Sequence, residues 1–137
     1  MSRVSSFFPS PSKAALCAAA AVFVISAAGV SAQSLTGPQQ NAVRSAQSYL
    51  SMTAFSRDGL IRQLSSSFGD GYEVADATVA VDSLSVDWNA QAERSARQYL
   101  QMMGFSCQGM IQQLSSSAGE LFTMEQATHG ARAAGAC

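Results

Sequence analysis

The sequence predicts an all-α protein: two tandem three-helix, helix-turn-helix-like repeats behind an N-terminal signal peptide. Three observations predict it. Residues 42–81 recur without a gap, fifty positions on, as residues 92–131. Within each copy the apolar residues return at helical spacing, and no segment of useful length alternates at the strand period. The register is visible by eye: Tyr49-Leu50 faces Tyr99-Leu100 and Phe55-Ser56 faces Phe105-Ser106, while Gln63-Leu64-Ser65-Ser66-Ser67 returns unchanged as Gln113-Leu114-Ser115-Ser116-Ser117.

The leader comes first. Arg3 and Lys13 precede a nearly continuous apolar run from Ala14 to Val30, and Val30-Ser31-Ala32 offers small residues at the positions a signal peptidase reads. This layout predicts export, with residues 1–32 removed by a cut after Ala32. An uncut anchor is the rival reading, and only a retained leader would place the chain in a membrane; the run is a little short of the roughly 20 residues of a full span. Cys17 follows Leu16 near the start of the run, whereas a lipid-attachment cysteine follows small residues at its end.

Beyond the leader, the first repeat occupies 33–86 and the second 87–137, with helices over about 37–84 and 87–134. Helix one of the second copy carries Trp88, Ala92, Ala96, Tyr99, Leu100 and Met103 on one stripe, and the first copy answers with Ala42, Ala46, Tyr49 and Leu50. Asp87 is a natural N-cap with Trp88 at the first helical position; the matching pair in copy one is Gly37-Pro38, where proline loses no hydrogen bond. Helix two begins at Ser56 or Ser106. Phe55 with Leu60, and Phe105 with Met110, have the spacing of a hydrophobic staple around those caps. Leu60, Ile61 and Leu64 then point inward, as do Met110, Ile111 and Leu114, and Gly69 or Gly119 is expected to end the helix in a left-handed conformation. Helix three opens in copy two on Thr123-Met124-Glu125-Gln126, the spacing of a capping box. Its inner stripe is expected to be Met124, Ala127 and Ala131, matched by Val74, Ala77 and Val81. Each copy is near the size at which a lone core is marginal, so the copies are expected to pack together.

Charge excludes one class. Without the leader the chain keeps six arginines, no lysine and nine acidic residues, a net charge of about −3. Gripping nucleic acid takes clustered positive charge, so DNA binding through the helix-turn-helix likeness is not expected. Catalysis finds no footing either. His129 is the single histidine and aligns with Val79, Cys107 aligns with Arg57, and there is no phosphate-cradling loop, metal-ligand spacing or nucleophile elbow. No catalytic residue, metal or cofactor is expected. The aromatics fall on core stripes and staples, where packing accounts for them.

Two cysteines follow the leader, Cys107 and Cys137. Outside the cell they are free to form a disulfide, which in the chain-entropy model would contribute roughly 3–4 kcal/mol. Alternatively Cys137, the last residue of the sequence, is unpaired or bridges two molecules. The remaining feature is acidic: Asp70, Glu73, Asp76, Asp82 and Asp87 cluster around the end of copy one. A solvated loop with helix-start charges is one reading. The other is a binding face, Asp70, Glu73, Asp76 and Asp82, for a basic helical protein partner, with copy one recognising and copy two bracing.

Taken together, these motifs resemble the Ltp family of host cell surface-exposed lipoproteins. The likeness runs through Ala42, Ala46, Tyr49-Leu50, Phe55-Ser56, Gly59-Leu60-Ile61, Gln63-Leu64, Asp76-Ala77 and Asp87-Trp88. It continues in Tyr99-Leu100, Phe105-Ser106, Gln113-Leu114, Phe122 and Gln126-Ala127, and covers about residues 37–132. The resemblance implies a tandem helix-turn-helix-like fold displayed outside the membrane. It also implies a non-enzymatic task, blocking the DNA of a second phage through contact with a phage protein of the tape-measure kind. The position of Cys17 departs from the lipoprotein pattern. The alternative function is a structural secreted or envelope protein with no phage role.

Overall fold

The computed structural model of the protein describes residues 34–137; the leader, its cut after Ala32 and Cys17 lie outside the described residues. Six helices follow in order: α1 Gly37–Met52, α2 Arg57–Ser65, α3 Val74–Asp82, α4 Trp88–Met102, α5 Cys107–Ser115 and α6 Met124–Ala133. Among the described residues there is no strand, and no helix is long and apolar enough to cross a membrane. Each copy is one long helix followed by two short ones, with the third packed against both others.

Local chemistry explains most boundaries. The Ser56 hydroxyl accepts the Gly59 N–H at 2.9 Å and Ser106 accepts that of Gly109 at 3.0 Å, so both second helices start on the serines that their sequence marks. Thr123 and Gln126 form the reciprocal bonds of a capping box at α6. At α1 the start is one residue earlier than expected. Thr36, not Gly37, is the N-cap, because its hydroxyl accepts the Gln39 N–H while the Gln39 side chain accepts the Thr36 N–H. Two reciprocal bonds outweigh what glycine offers at a cap.

The inner faces form two cores. In copy one Ala46, Leu60, Leu64, Ala77 and Val81 are fully buried together, with Tyr49, Leu50, Phe55 and Tyr72 against them. In copy two the set is Ala92, Ala96, Met110, Ile111, Leu114, Phe122, Ala127 and Ala131. Each buried leucine stabilises its core by roughly 1.5–3 kcal/mol relative to exposure. The third-helix stripe needs correction, since Val74 and Met124 are each 63% exposed. They are the first helical residues, before the stripe turns inward. Ala80 and Gly130 are buried instead. A Cβ on Gly130 would lie 2.6 Å from the carbonyl carbon of Ala92, so this glycine lets α6 lie directly on α4. Met103, placed on the core stripe by spacing, is the C-cap of α4 and is exposed.

Gly69 and Gly119 also differ from expectation. Neither has a positive φ; a side chain at either would lie 2.0 Å from the carbonyl oxygen of Gln63 or Gln113. They are glycines because the turn folds back onto its own helix, and the left-handed residues of this turn are Gly71 and its counterpart Leu121.

Polar contacts tie the copies together. From α4, Arg94 donates to the carbonyls of Leu50 at 2.7 Å and Thr53 at 3.4 Å, among the orphan acceptors at the end of α1. From α2, Arg62 reaches across to the carbonyls of Ser117 and Gly119 at 3.0 and 3.2 Å. Ser56 donates to the carbonyl of Glu120, which is why Ser56 is buried while Ser106 is exposed. Trp88 opens copy two yet packs against the core of copy one. The described residues accordingly form one compact unit.

Candidate protein-binding face

The turn between α2 and α3 is built by backbone bonds. The Ser66 carbonyl accepts the N–H groups of Gly69 and Gly71, Leu64 accepts that of Tyr72, and the Ser66 hydroxyl accepts that of Phe68. This fold-back lays residues 70–72 along α1. There the Tyr49 hydroxyl donates to Asp70 at 3.2 Å, Gln63 donates to the Tyr49 oxygen at 3.3 Å, and the Tyr72 hydroxyl lies 3.3 Å from that of Ser45. The Tyr49 ring meets Phe55 edge-on, with centroids 5.8 Å apart.

Three acidic residues line this end of copy one. Asp70 and Glu73 are exposed, and Asp76, half-buried on the first turn of α3, accepts a bond from Gln39 at 3.0 Å. Glu73 is the N-cap of α3 but makes no capping bond with its side chain. None of the three is in a salt bridge among the described residues.

Asp82 stands apart from these three. It lies nine residues along from Glu73, roughly 13 Å by helical rise. Its two oxygens accept from Arg57 at 2.6 and 2.7 Å, and the same guanidinium reaches Asp58 at 3.0 Å. The guanidinium bond holds the Asp82 carboxyl below its usual range and raises Arg57 in turn. A carboxylate already paired in this way offers little to a partner. Asp87 is likewise committed, accepting the Ala90 N–H at 3.0 Å as the cap of α4.

Copy two repeats the scaffold and changes the surface. Gln113 donates to the Tyr99 hydroxyl at 3.1 Å, which donates to Glu120 at 2.6 Å; Tyr99 meets Phe105 edge-on at 5.6 Å. Burial first, and then the Glu120 carboxylate, push the Tyr99 phenol above its ordinary value. At the counterparts of Glu73 and Asp76 stand Thr123 and Gln126, a neutral capping box. The acidic stretch therefore belongs to copy one.

The other singled-out residues are also placed. Cys107 at the start of α5 and Cys137 come within 4.6 Å, Cα to Cα, and are joined as a disulfide. The approach follows from the end of α6: Gly135 turns left-handed, Gly135 N–H bonds Arg132 O and Ala136 N–H bonds Ala131 O, reversing the chain toward α5. His129 is exposed on α6 with Glu125 and Arg132 along the same shallow groove. Among the described residues no cluster of His, Cys, Asp or Glu could hold a metal ion. What sequence reasoning missed are the clamps Arg62 and Arg94. Backbone carbonyls are their acceptors, and a carbonyl leaves no mark in a sequence.

Comparison with known proteins fits this architecture. Residues 38–84 and 87–131 each match the family described as host cell surface-exposed lipoprotein, Ltp, so both repeats are recognised separately. The chain is also similar to the solved structure of Ltp, a superinfection exclusion protein from the Streptococcus thermophilus temperate phage TP-J34. That likeness has a TM-score of 0.64 and 29% identity, and covers 72% of this chain and 97% of Ltp. No curated protein matches the chain. Two family matches over most of the described residues, on the fold of a solved relative, identify the chain as a member of the Ltp family of host cell surface-exposed lipoproteins.

Proposed function

We propose that this protein is displayed outside the cytoplasmic membrane and excludes a second phage by binding a basic phage protein, of the tape-measure kind, that must pass for DNA to be injected. The observation that carries the reading is the similarity to a superinfection exclusion protein over nearly all of that protein's length, spanning both repeats. The chemistry of the surface supports binding, because Asp70 and Glu73 are exposed and, with Asp76, stand outside any salt bridge among the described residues. In this reading Asp70, Glu73 and Asp76 steer a cationic segment to copy one, while copy two, with its disulfide and tied to copy one by Arg62 and Arg94, holds that surface in place. Steering of this kind acts on the association rate and weakens with salt.

Export by the leader is part of the proposal, and the family description supports it. With Cys17 outside a lipid-attachment pattern, display would rest on the apolar stretch 14–30 being retained, and cleavage after Ala32 would release the protein. The test is to express the full chain in a phage-sensitive host and measure adsorption and DNA injection separately. Normal adsorption with blocked injection is the expected result. Unchanged injection in cells that carry the protein on their surface would leave only a structural envelope role.

A further inference from the structure

Phe68 is 101% exposed, and it is the most exposed large apolar side chain among the described residues. It is not on a loose loop. Its own N–H is bonded to the Ser66 hydroxyl, and the flanking N–H groups of Gly69, Asp70, Gly71 and Tyr72 are all bonded to carbonyls at the end of α2. Gly69, which only a residue without a side chain can fill, locks the ring's neighbour against Gln63. An aromatic ring held out in water by a turn bonded at Phe68 and the four residues after it is already in place to be covered, and little ordering remains to oppose binding.

The surroundings decide what covers it. Asp70, two residues on from Phe68, lines a shallow depression of about 250 Å³ together with the exposed Met52, Tyr49 and the serines 45 and 48 of α1. Asp70 and Glu73 follow Phe68 by two and five residues, both exposed and in no salt bridge among the described residues. A second copy of this chain would bring those carboxylates face to face. An anionic lipid surface would meet the same repulsion. A helix with apolar residues on one stripe and lysine or arginine beside it satisfies both features at once.

Resting on the proposal of a basic phage partner, we propose that Phe68 is the anchor of that interaction. Its ring inserts into the apolar stripe of a basic amphipathic helix, with Asp70 and Glu73 pairing with the cationic flank. Copy two has Ala118 at the position of Phe68 and so lacks the anchor.

The test uses the exported protein and two synthetic peptides of equal positive charge. One alternates leucine and lysine at helical spacing, and the other has serine in place of leucine. The expected result is saturable binding of the leucine peptide, weakened about tenfold or more by Phe68→Ala and largely kept by Phe68→Leu. Melting should be the same for all three proteins, since Phe68 covers no core. Equal binding of both peptides, indifferent to Phe68→Ala, would overturn the anchor while leaving an acidic steering surface intact. Binding of neither peptide at low salt would remove the steering surface as well. Attachment to vesicles of phosphatidylglycerol and phosphatidylethanolamine, or self-association abolished by Phe68→Ala, would assign the ring to a membrane or to a second copy and overturn the proposal.

Discussion

Where copy one carries Asp70, Glu73 and Asp76, copy two carries Glu120, Thr123 and Gln126, on the same turn and the same helix start. The contacts beneath are shared: edge-on Tyr–Phe pairs at 5.8 and 5.6 Å, and a glutamine bonded to each tyrosine at 3.3 and 3.1 Å. What differs is how each copy uses its polar groups. Copy two satisfies its third-helix terminus with its own side chains and closes itself with a disulfide, while copy one leaves its third-helix cap without a side-chain bond and exposes Phe68. Duplication supplies two equal frameworks. In the proposed function, substitution at the turn makes one a brace and the other a face.

The largest way to break this comparison is to open the disulfide. Reduction, or Cys137→Ser, should lower unfolding stability by about 3–4 kcal/mol in the chain-entropy model, the two cysteines being 30 residues apart. Intact mass before and after reductant establishes the bond, and urea unfolding measures its worth. Two free thiols in freshly exported protein would remove it from the account.

Next in size is the helix contact that copy two makes through a glycine. Gly130→Ala puts a methyl group 2.6 Å from the Ala92 backbone and should cost roughly 1–3 kcal/mol. In copy one Ala80 already carries that methyl, so Ala80→Gly should cost only about 0.5–1 kcal/mol, the usual penalty for glycine inside a helix. Equal losses at the two sites, read from urea midpoints, would mean that α4 and α6 are no closer than α1 and α3.

A smaller effect belongs to Tyr99. Tyr99 holds its proton more tightly when folded than the ordinary phenol value of 10.0, through burial and the Glu120 carboxylate. Its contribution is therefore fully present below that value and is lost as pH rises through the raised folded one. Thermal unfolding at alkaline pH should show a modest drop in Tm that Tyr99→Phe abolishes.

Much of this was legible from residue order because the cues are local. Ser56, Ser106 and Thr123 cap the helices they precede, and Leu60, Leu64, Met110 and Leu114 are buried where period and staple place them. Errors arose where a contact is long-range or a choice is fine. Thr36 displaced Gly37 as the cap through a bond with Gln39, three residues on. Gly69 and Gly119 are required by an approach to a carbonyl six residues back, which looks the same in sequence as a left-handed turn. The acidic cluster was visible as composition, but its division was not: Arg57 is 25 positions from Asp82, and no spacing announces that pair.

The central claim is that copy one recognises and copy two braces. Its most direct test is phage DNA injection into cells displaying the full chain, with Asp70→Asn, Glu73→Gln and Asp76→Asn combined in one variant and Glu120→Gln with Glu125→Gln in another, at matched surface level and adsorption. The account predicts that the copy-one variant admits phage DNA while retaining its helical content, and that the copy-two variant still excludes it. Exclusion kept by the copy-one variant and lost by the copy-two variant would contradict the account and reverse the roles of the two halves.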